Sequence, residues 1–591
     1  MIRIWHVLVL WSALFSFRLI AADANAASLA GGSFDDAPVT VINRQINRIW
    51  QEYDLEPSSA ATAGEWCRRV YLDVLGRIPT VDELKRYLAD RSSDKKARLV
   101  GRLLYDEEYT EEYARNWTTI WTNLLIGRTG GTQNNSLINR DGMRKYLRDS
   151  FARNKSYDRL VHELVAANGT TTPGSENFNG AVNFLVMKLD DKGIQATAKT
   201  AQLFLGMQVQ CTQCHDHPFN GWKQNQFWEF NAFFRQTTTL RRFQQGTNDV
   251  REVELADQDF AGEGSSPSEA EIYYELRNGI LKAAYPAFVD GTQLENRSGY
   301  LSEVNRREAL AKQIIASDYL GMAIVNRMWS HFFGYGFTKP VDDIGPHNPP
   351  SHPDLLDYLA GHFRENNFDL KQLMQWIVLS QPYGLSSRTT KTNQSDDPLL
   401  GESPKFSHFY LRQMRAEELY ESLLVATQAD RTHGNYAERE RARGNWLRQF
   451  SRAFGTDEGD ETTTFNGTIP QALMMFNGEL IRRATALDSG GLLAQVVNSK
   501  ARPTQQIEHL FLAALARKPT KTELKAANRL LLARGVDRAK SQARAQAQAG
   551  SNRGKRPKKP WKNQKTVDPR SAALQDIWWA VLNSNEFILN H

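Results

Sequence analysis

The chain has 591 residues, 41% of them apolar and 24% charged, which is enough for two to four domains standing on apolar burial. Only three cysteines in that length exclude a fold built on disulfides. The net charge of +6 is unevenly placed: between Arg534 and Lys565 eleven Lys/Arg face the single acid Asp537, so that stretch carries +10 and the remainder −4, and no nucleic-acid partner is expected of the body.

Residues 1–26 read as a signal peptide: Arg3 gives a positive start, residues 7–17 an apolar core, and Ala24-Asn25-Ala26 a small-x-small cleavage site. The apolar run stops at Arg18, short of the roughly 20 residues that span a bilayer. No transmembrane anchor is expected, and the mature protein is expected to be periplasmic or extracellular.

Helical periodicity dominates the chain beyond this leader. In 66–76, Trp66, Val70, Tyr71, Val74 and Leu75 share one face and Gly76 ends the run. Pro79-Thr80 with Glu83 then gives a Thr-x-x-Glu capping box, and Arg517-Lys518-Pro519-Thr520-Lys521-Thr522-Glu523-Leu524 repeats the device of Arg77–Leu84. This is an internal repeat of a helix hairpin. Further helices are expected over 108–125, 143–167, 193–209, 306–333, 353–380 and 412–427, with surface loops at 128–140, 168–182, 243–270 and 381–404. The segment 241–304 is the least helical and reads as a connection holding a small β-hairpin or nothing regular. The basic stretch, about 536–568, is rich in Ala, Gln, Gly and Pro and reads as a disordered insertion, a solvated linker or a contact for an acidic surface. The expected fold class is mainly α: a multidomain helical protein with long loops and that insertion.

The most specific signal is Cys211-Thr212-Gln213-Cys214-His215. Random placement of the cysteines and histidines would produce this spacing roughly two times in ten thousand. Two thiols three residues apart followed by histidine is the pattern that attaches haem c, with thioethers at Cys211 and Cys214 and iron on His215. Direct coordination of zinc or another transition metal is the rival, drawing on Cys211, Cys214, His215 and His217. Four ligands so close in sequence do not easily meet one ion, and a set completed by His352 or an aspartate such as Asp343 closes better. A disulfide between Cys211 and Cys214 is the third use.

No methionine lies between Met207 and Met322, so a sixth iron ligand has to come from elsewhere or the position stays open. The remote candidates lie in Asp342–Pro353, a proline-stiffened loop carrying His347 and His352, where Ser351 and Asp354 are expected to cap a helix. The aromatic run Phe219, Trp222, Phe227, Trp228, Phe230, Phe233 and Phe234 reads as core or as a porphyrin wall. Arg69, Asp73, Arg327 and Asp343 sit inside apolar motifs, where burial demands pairing, and Trp117 and Trp329 read as core anchors.

Two long blocks resemble a linked pair of families. Arg69–Thr80, Cys211–Phe219 and Ala232-Phe233-Phe234 are similar to the planctomycete cytochrome-c-like domain (DUF1549), over about residues 40–240. The DUF1553 domain that usually follows it is matched over about 305–591 by Arg307–Ala311, Val325–Trp329, Phe333–Gly336, Asp342–Gly345, Ser351–Leu356, Arg415–Leu419 and Leu582–Phe587. The resemblance implies an exported bacterial protein with a haem motif and no known reaction. The expected domains are therefore 27–240, the connection 241–304, and 305–591.

These residues lead to an expectation of an exported c-type haem protein with a redox partner protein, acting in electron transfer or a haem-dependent redox reaction. A non-haem metal-dependent enzyme or binding protein acting on an extracellular polymer is the alternative, and a scaffold a third. Hydrolase readings rest on no motif: there is no Gly-x-Ser-x-Gly and no phosphate-binding loop, and His162-Glu163 lacks the second histidine of a zinc-protease helix.

Overall fold

The computed structural model describes residues 37–133, 135–243, 245–246, 250–264, 266–432, 435–454, 469–487, 490–533 and 568–591. The leader at 1–26 and the basic insertion, apart from Asp568, lie outside the described residues. The chain is mainly α, and among the described residues no helix is long and apolar enough to cross a membrane.

Helix Ala63–Leu75 shows how the sequence sets the architecture. Thr62 and Glu65 form a capping box at its start, Gly76 turns left-handed (φ 73°) at its end, and Trp66, Val70, Tyr71, Val74 and Leu75 are buried on the expected face. The next helix, Val81–Ala89, opens with Glu83 N–H on Thr80 Oγ1 (3.2 Å) and Thr80 N–H on Glu83 Oε2 (2.7 Å), while Arg77 holds Glu83 through two 2.9 Å bonds. The repeat copies this geometry. After helix Pro503–Leu515, Ala516 takes the left-handed turn (φ 54°), Thr520 and Glu523 exchange the same two bonds, and Arg517 grips Glu523 at 2.8 and 2.9 Å. The two copies also touch, because Arg68 donates to Ala514 O (2.7 Å) and Phe587 O (2.8 Å).

Several long apolar runs are cut by polar residues. The run 306–333 forms Arg306–Ala316 and Asp318–Phe333 with the break at Ser317, and 353–380 forms Pro353–Glu365 and Leu370–Leu379. Asp369 starts the last of these by accepting the Lys371 and Gln372 N–H groups. The 143–167 run likewise divides into Arg140–Ala152 and Tyr157–Ala166.

The least helical segment holds regular strands. Val250–Asp257 pairs antiparallel with both Gly169–Thr170 and Thr237–Phe243, and Ile272–Glu275 pairs with Leu281–Ala284. Leu589–Asn590 returns to pair with Arg412–Gln413.

One apolar core takes its side chains from Val41 through Tyr410, with Ala516 added from the second hairpin, and draws on both sides of 241–304, including Trp117 and Trp329. A second gathers Leu72 and Ile78 with residues from Met414 to Ile588. Between them lies a buried polar junction. Asp73, with no exposed surface, accepts from Tyr383 Oη (2.6 Å), Asn590 Nδ2 (2.8 Å) and Arg412. Arg69 donates to the carbonyls of Tyr383, Leu385 (2.9 Å) and His591 (3.1 Å), its guanidinium 3.6 Å above the Phe409 ring. Burial pushes both Arg69 and Arg412 down to about 10, still charged at neutral pH.

Candidate functional site

The motif sits where a helix is made to end. Ile194–Thr200 passes into a π turn, Ala201–Leu205, and Gly206 closes it left-handed (φ 67°) with its N–H on Ala201 O. Gly206 meets a second demand: a Cβ there would lie 3.1 Å from Ile344 Cδ1, and Ile344 N–H donates to Gly206 O at 2.7 Å. The loop after residue 341 is thus clamped onto the segment just ahead of the cysteines. Asp342 adds to the clamp by accepting from Gln202 and from Gln208 (3.0 Å), with Arg327 at 3.8 Å.

Gln210–Gln213 is a single 3-10 turn. Thr212, with no exposed surface, donates through Oγ1 to Val209 O (2.6 Å), which turns Cys211 and Cys214 outward as exposed free thiols. Gln213 O accepts from Trp228 Nε1 (3.0 Å) and Gln224 Nε2 (3.2 Å), and Trp228 stacks on Tyr274. Phe227, Phe230, Phe233 and Phe234 are core, so most of the aromatic run supports the turn from behind. Phe219 differs, being 84% exposed beside the motif.

The three histidines here are sorted by their hydrogen bonds. His215 Nδ1 lies 2.6 Å from Asp216 O, a group that can only accept, so Nδ1 carries the proton and Nε2 keeps its lone pair. His217 is the reverse: Nδ1 accepts from the N–H groups of Phe219 (3.2 Å) and Asn220 (3.1 Å), which leaves the proton of the neutral ring on Nε2. In this conformation the half-buried His217 ring therefore offers a donor at Nε2. Desolvation, helped by His347 and His215 and opposed by Asp343, holds its imidazole below the usual 6.5. His347 resembles His215 with its nitrogens exchanged, since Nε2 donates to Asp343 Oδ1 (3.0 Å) and Nδ1 carries the lone pair.

The His217 and His347 rings are 6.3 Å apart between centroids, so the structure gathers His215, His217, Asp343 and His347 on one patch. Asp216 belongs to the frame, because its carboxylate accepts the Gln224 N–H (3.0 Å) and the Lys223 ammonium (3.1 Å) and is held below the carboxylate range chiefly by the first.

His352 is elsewhere. It is 5% exposed, packed between Phe337 and Phe406, and its Nδ1 is 2.8 Å from Ser351 Oγ. Burial pushes it down to about 4. Ser351 therefore spends its hydroxyl on His352 and not on the helix, whose N-cap is His352 itself without a side-chain bond. Among the described residues, no three or more of His, Cys, Asp and Glu are arranged to hold a metal ion. The clamp through Gly206 and Asp342 carried no sequence signal, since its partners lie more than a hundred residues apart.

Residues 41–239 match a family described as a protein of unknown function (DUF1549), and residues 306–531 match one described as a protein of unknown function (DUF1553). No curated protein and no solved structure matches the chain.

Proposed function

Because the chain carries a DUF1549 domain followed by a DUF1553 domain, both of unknown function, its activity has to be argued from the site, and we propose that it bears one covalent c-type haem at Cys211, Cys214 and His215. The observation that carries this reading is the coincidence of two exposed free thiols on one turn with a histidine whose Nδ1 proton is tied to Asp216 O. That bond leaves His215 Nε2 as the lone pair for iron. The donor set fits the group: each thiol can add across one vinyl, sulfur to one carbon and hydrogen to its neighbour. Phe219, almost bare beside the turn, offers an apolar surface for a porphyrin to cover.

The haem supplies one-electron chemistry at a potential set by ligands and burial. The protein's own contribution is placement. Thr212 and Trp228 hold the turn, Asp216 sets the His215 tautomer, and the surface position opens the site to a redox partner protein. Attachment of haem c takes place outside the cytoplasm, so this reading requires the export that the leader at 1–26 supports.

The test is haem staining after denaturing electrophoresis of protein matured in a host competent to attach haem c. The wild type is expected to stain and Cys214→Ser to lose the stain. An unstained wild type overturns the reading.

A further inference from the structure

A groove of about 340 Å³ opens between the second hairpin and helix Pro569–Leu582. Phe511, Leu515, Ala527 and Leu530 of the hairpin and Ile577 and Val581 of the helix line it, together with the carboxylates of Glu523, Asp576 and Glu586. We infer that this groove is a docking site for a basic amphipathic helix of a partner protein, an interaction independent of the haem reading.

The first copy of the repeat shows what such a groove takes. At the spacing that sets Arg517 on Arg77 and Glu523 on Glu83, Phe511, Leu515 and Ala527 stand where Tyr71, Leu75 and Tyr87 stand. Those three residues share a core with Leu99, Val100, Leu103 and Leu104 of helix Lys95–Tyr105, which packs on helix Ala63–Leu75 and on helix Glu107–Ile126. Glu112 of the latter holds Arg77 as Glu586 holds Arg517. Helix Lys95–Tyr105 is therefore the occupant in the first copy, and its chemistry is plain: one apolar face, the cations Lys95, Lys96, Arg98 and Arg102, and no acid. Lys95 Nζ lies 4.8 Å from the centre of the Tyr87 ring.

In the second copy the chain brings no equivalent. The corresponding connection, 534–567, has Val536, Trp561 and Val567 as its only large apolar residues, too few to repeat a face of four. Ala527 in place of Tyr87 also removes a ring, which widens the space. The charge is complementary to the first-copy occupant: three carboxylates line the groove, and the Arg517 guanidinium is shared between two of them, Glu523 and Glu586. Apolar anchors one turn apart would enter between the two walls, while lysines and arginines beside them meet the carboxylates.

The experiment titrates full-length protein into a fluorescein-labelled peptide with the sequence of Lys95–Tyr105 and reads fluorescence anisotropy. Saturable binding that weakens with added salt is expected for the wild type. Ala526→Trp and Ala580→Trp, at exposed positions on opposite walls, are each expected to weaken it about tenfold or more with the urea midpoint unchanged. The same peptide with its four basic residues replaced by glutamate is expected not to bind. Deletion of 536–565 is expected to leave the wild-type affinity unchanged. No saturable binding to the wild type, or binding untouched by both tryptophan variants, overturns the inference. Binding that emerges only after the deletion overturns it as well, because the chain's own basic stretch is then the occupant.

Discussion

Asp73 is the sharpest test of how the two cores are joined. Its carboxylate has no exposed surface and accepts from Arg412, Tyr383 Oη at 2.6 Å and Asn590 Nδ2 at 2.8 Å, residues brought from three distant parts of the chain. Asp73→Ala removes the carboxylate that directly pairs the enclosed Arg412 guanidinium and leaves it only the field of Glu418, a change that costs about 3–5 kcal/mol. Arg412→Ala costs less, since Tyr383 and Asn590 still satisfy the carboxylate. The double variant should therefore be more stable than the sum of the two losses predicts, by a coupling of about 1–3 kcal/mol. Urea unfolding followed by tryptophan fluorescence measures all three. Amide exchange at Met414, whose N–H bonds Ile588 O at 3.2 Å, reports whether the C-terminal strand is released. A loss below about 1 kcal/mol for Asp73→Ala, or strict additivity, refutes the junction as described.

The repeated hairpins should respond alike, with Thr80→Ala and Thr520→Ala each lowering stability by about 1 kcal/mol in the same unfolding assay. A loss at one and none at the other would show that the repeat is one of sequence only. His352 makes a pH prediction. Its folded value of about 4 lies below its ordinary 6.5, so its contribution is present in full above 6.5 and is lost as pH falls towards 4. Urea midpoints taken across that window should fall in the wild type and fall less in His352→Leu, and equal slopes would contradict the burial argument.

What the sequence made legible follows physical range. Helix Ala63–Leu75 could be read from residue 66 onward because its apolar face and its closing Gly76 are local, although the equally local Thr62–Glu65 capping box at its start was not anticipated. The division of 306–333 at Ser317 was hidden because apolar residues continue on both sides, the only clue being Ser317-Asp318 itself. In Val250–Asp257 the alternation of buried Val253 and Leu255 was present, but turn-forming neighbours masked it and left hairpin and coil equally plausible. At the site, Cys211, Cys214 and His215 announced themselves by spacing. The role of the 342–349 loop did not, because it depends on Gly206 accepting Ile344 and on the direction in which each imidazole donates. His352 looked equivalent to His347 in sequence, and it is the distant Phe406 that encloses it.

The central claim is that one prosthetic group is joined through sulfur to the turn at Cys211–Cys214. Intact mass of the purified protein, matured in a host that attaches haem c, tests it most directly. The account predicts a processed chain heavier by one whole haem, reverting to the bare mass when both cysteines are replaced by serine. A wild type that already has the bare mass and no colour contradicts it.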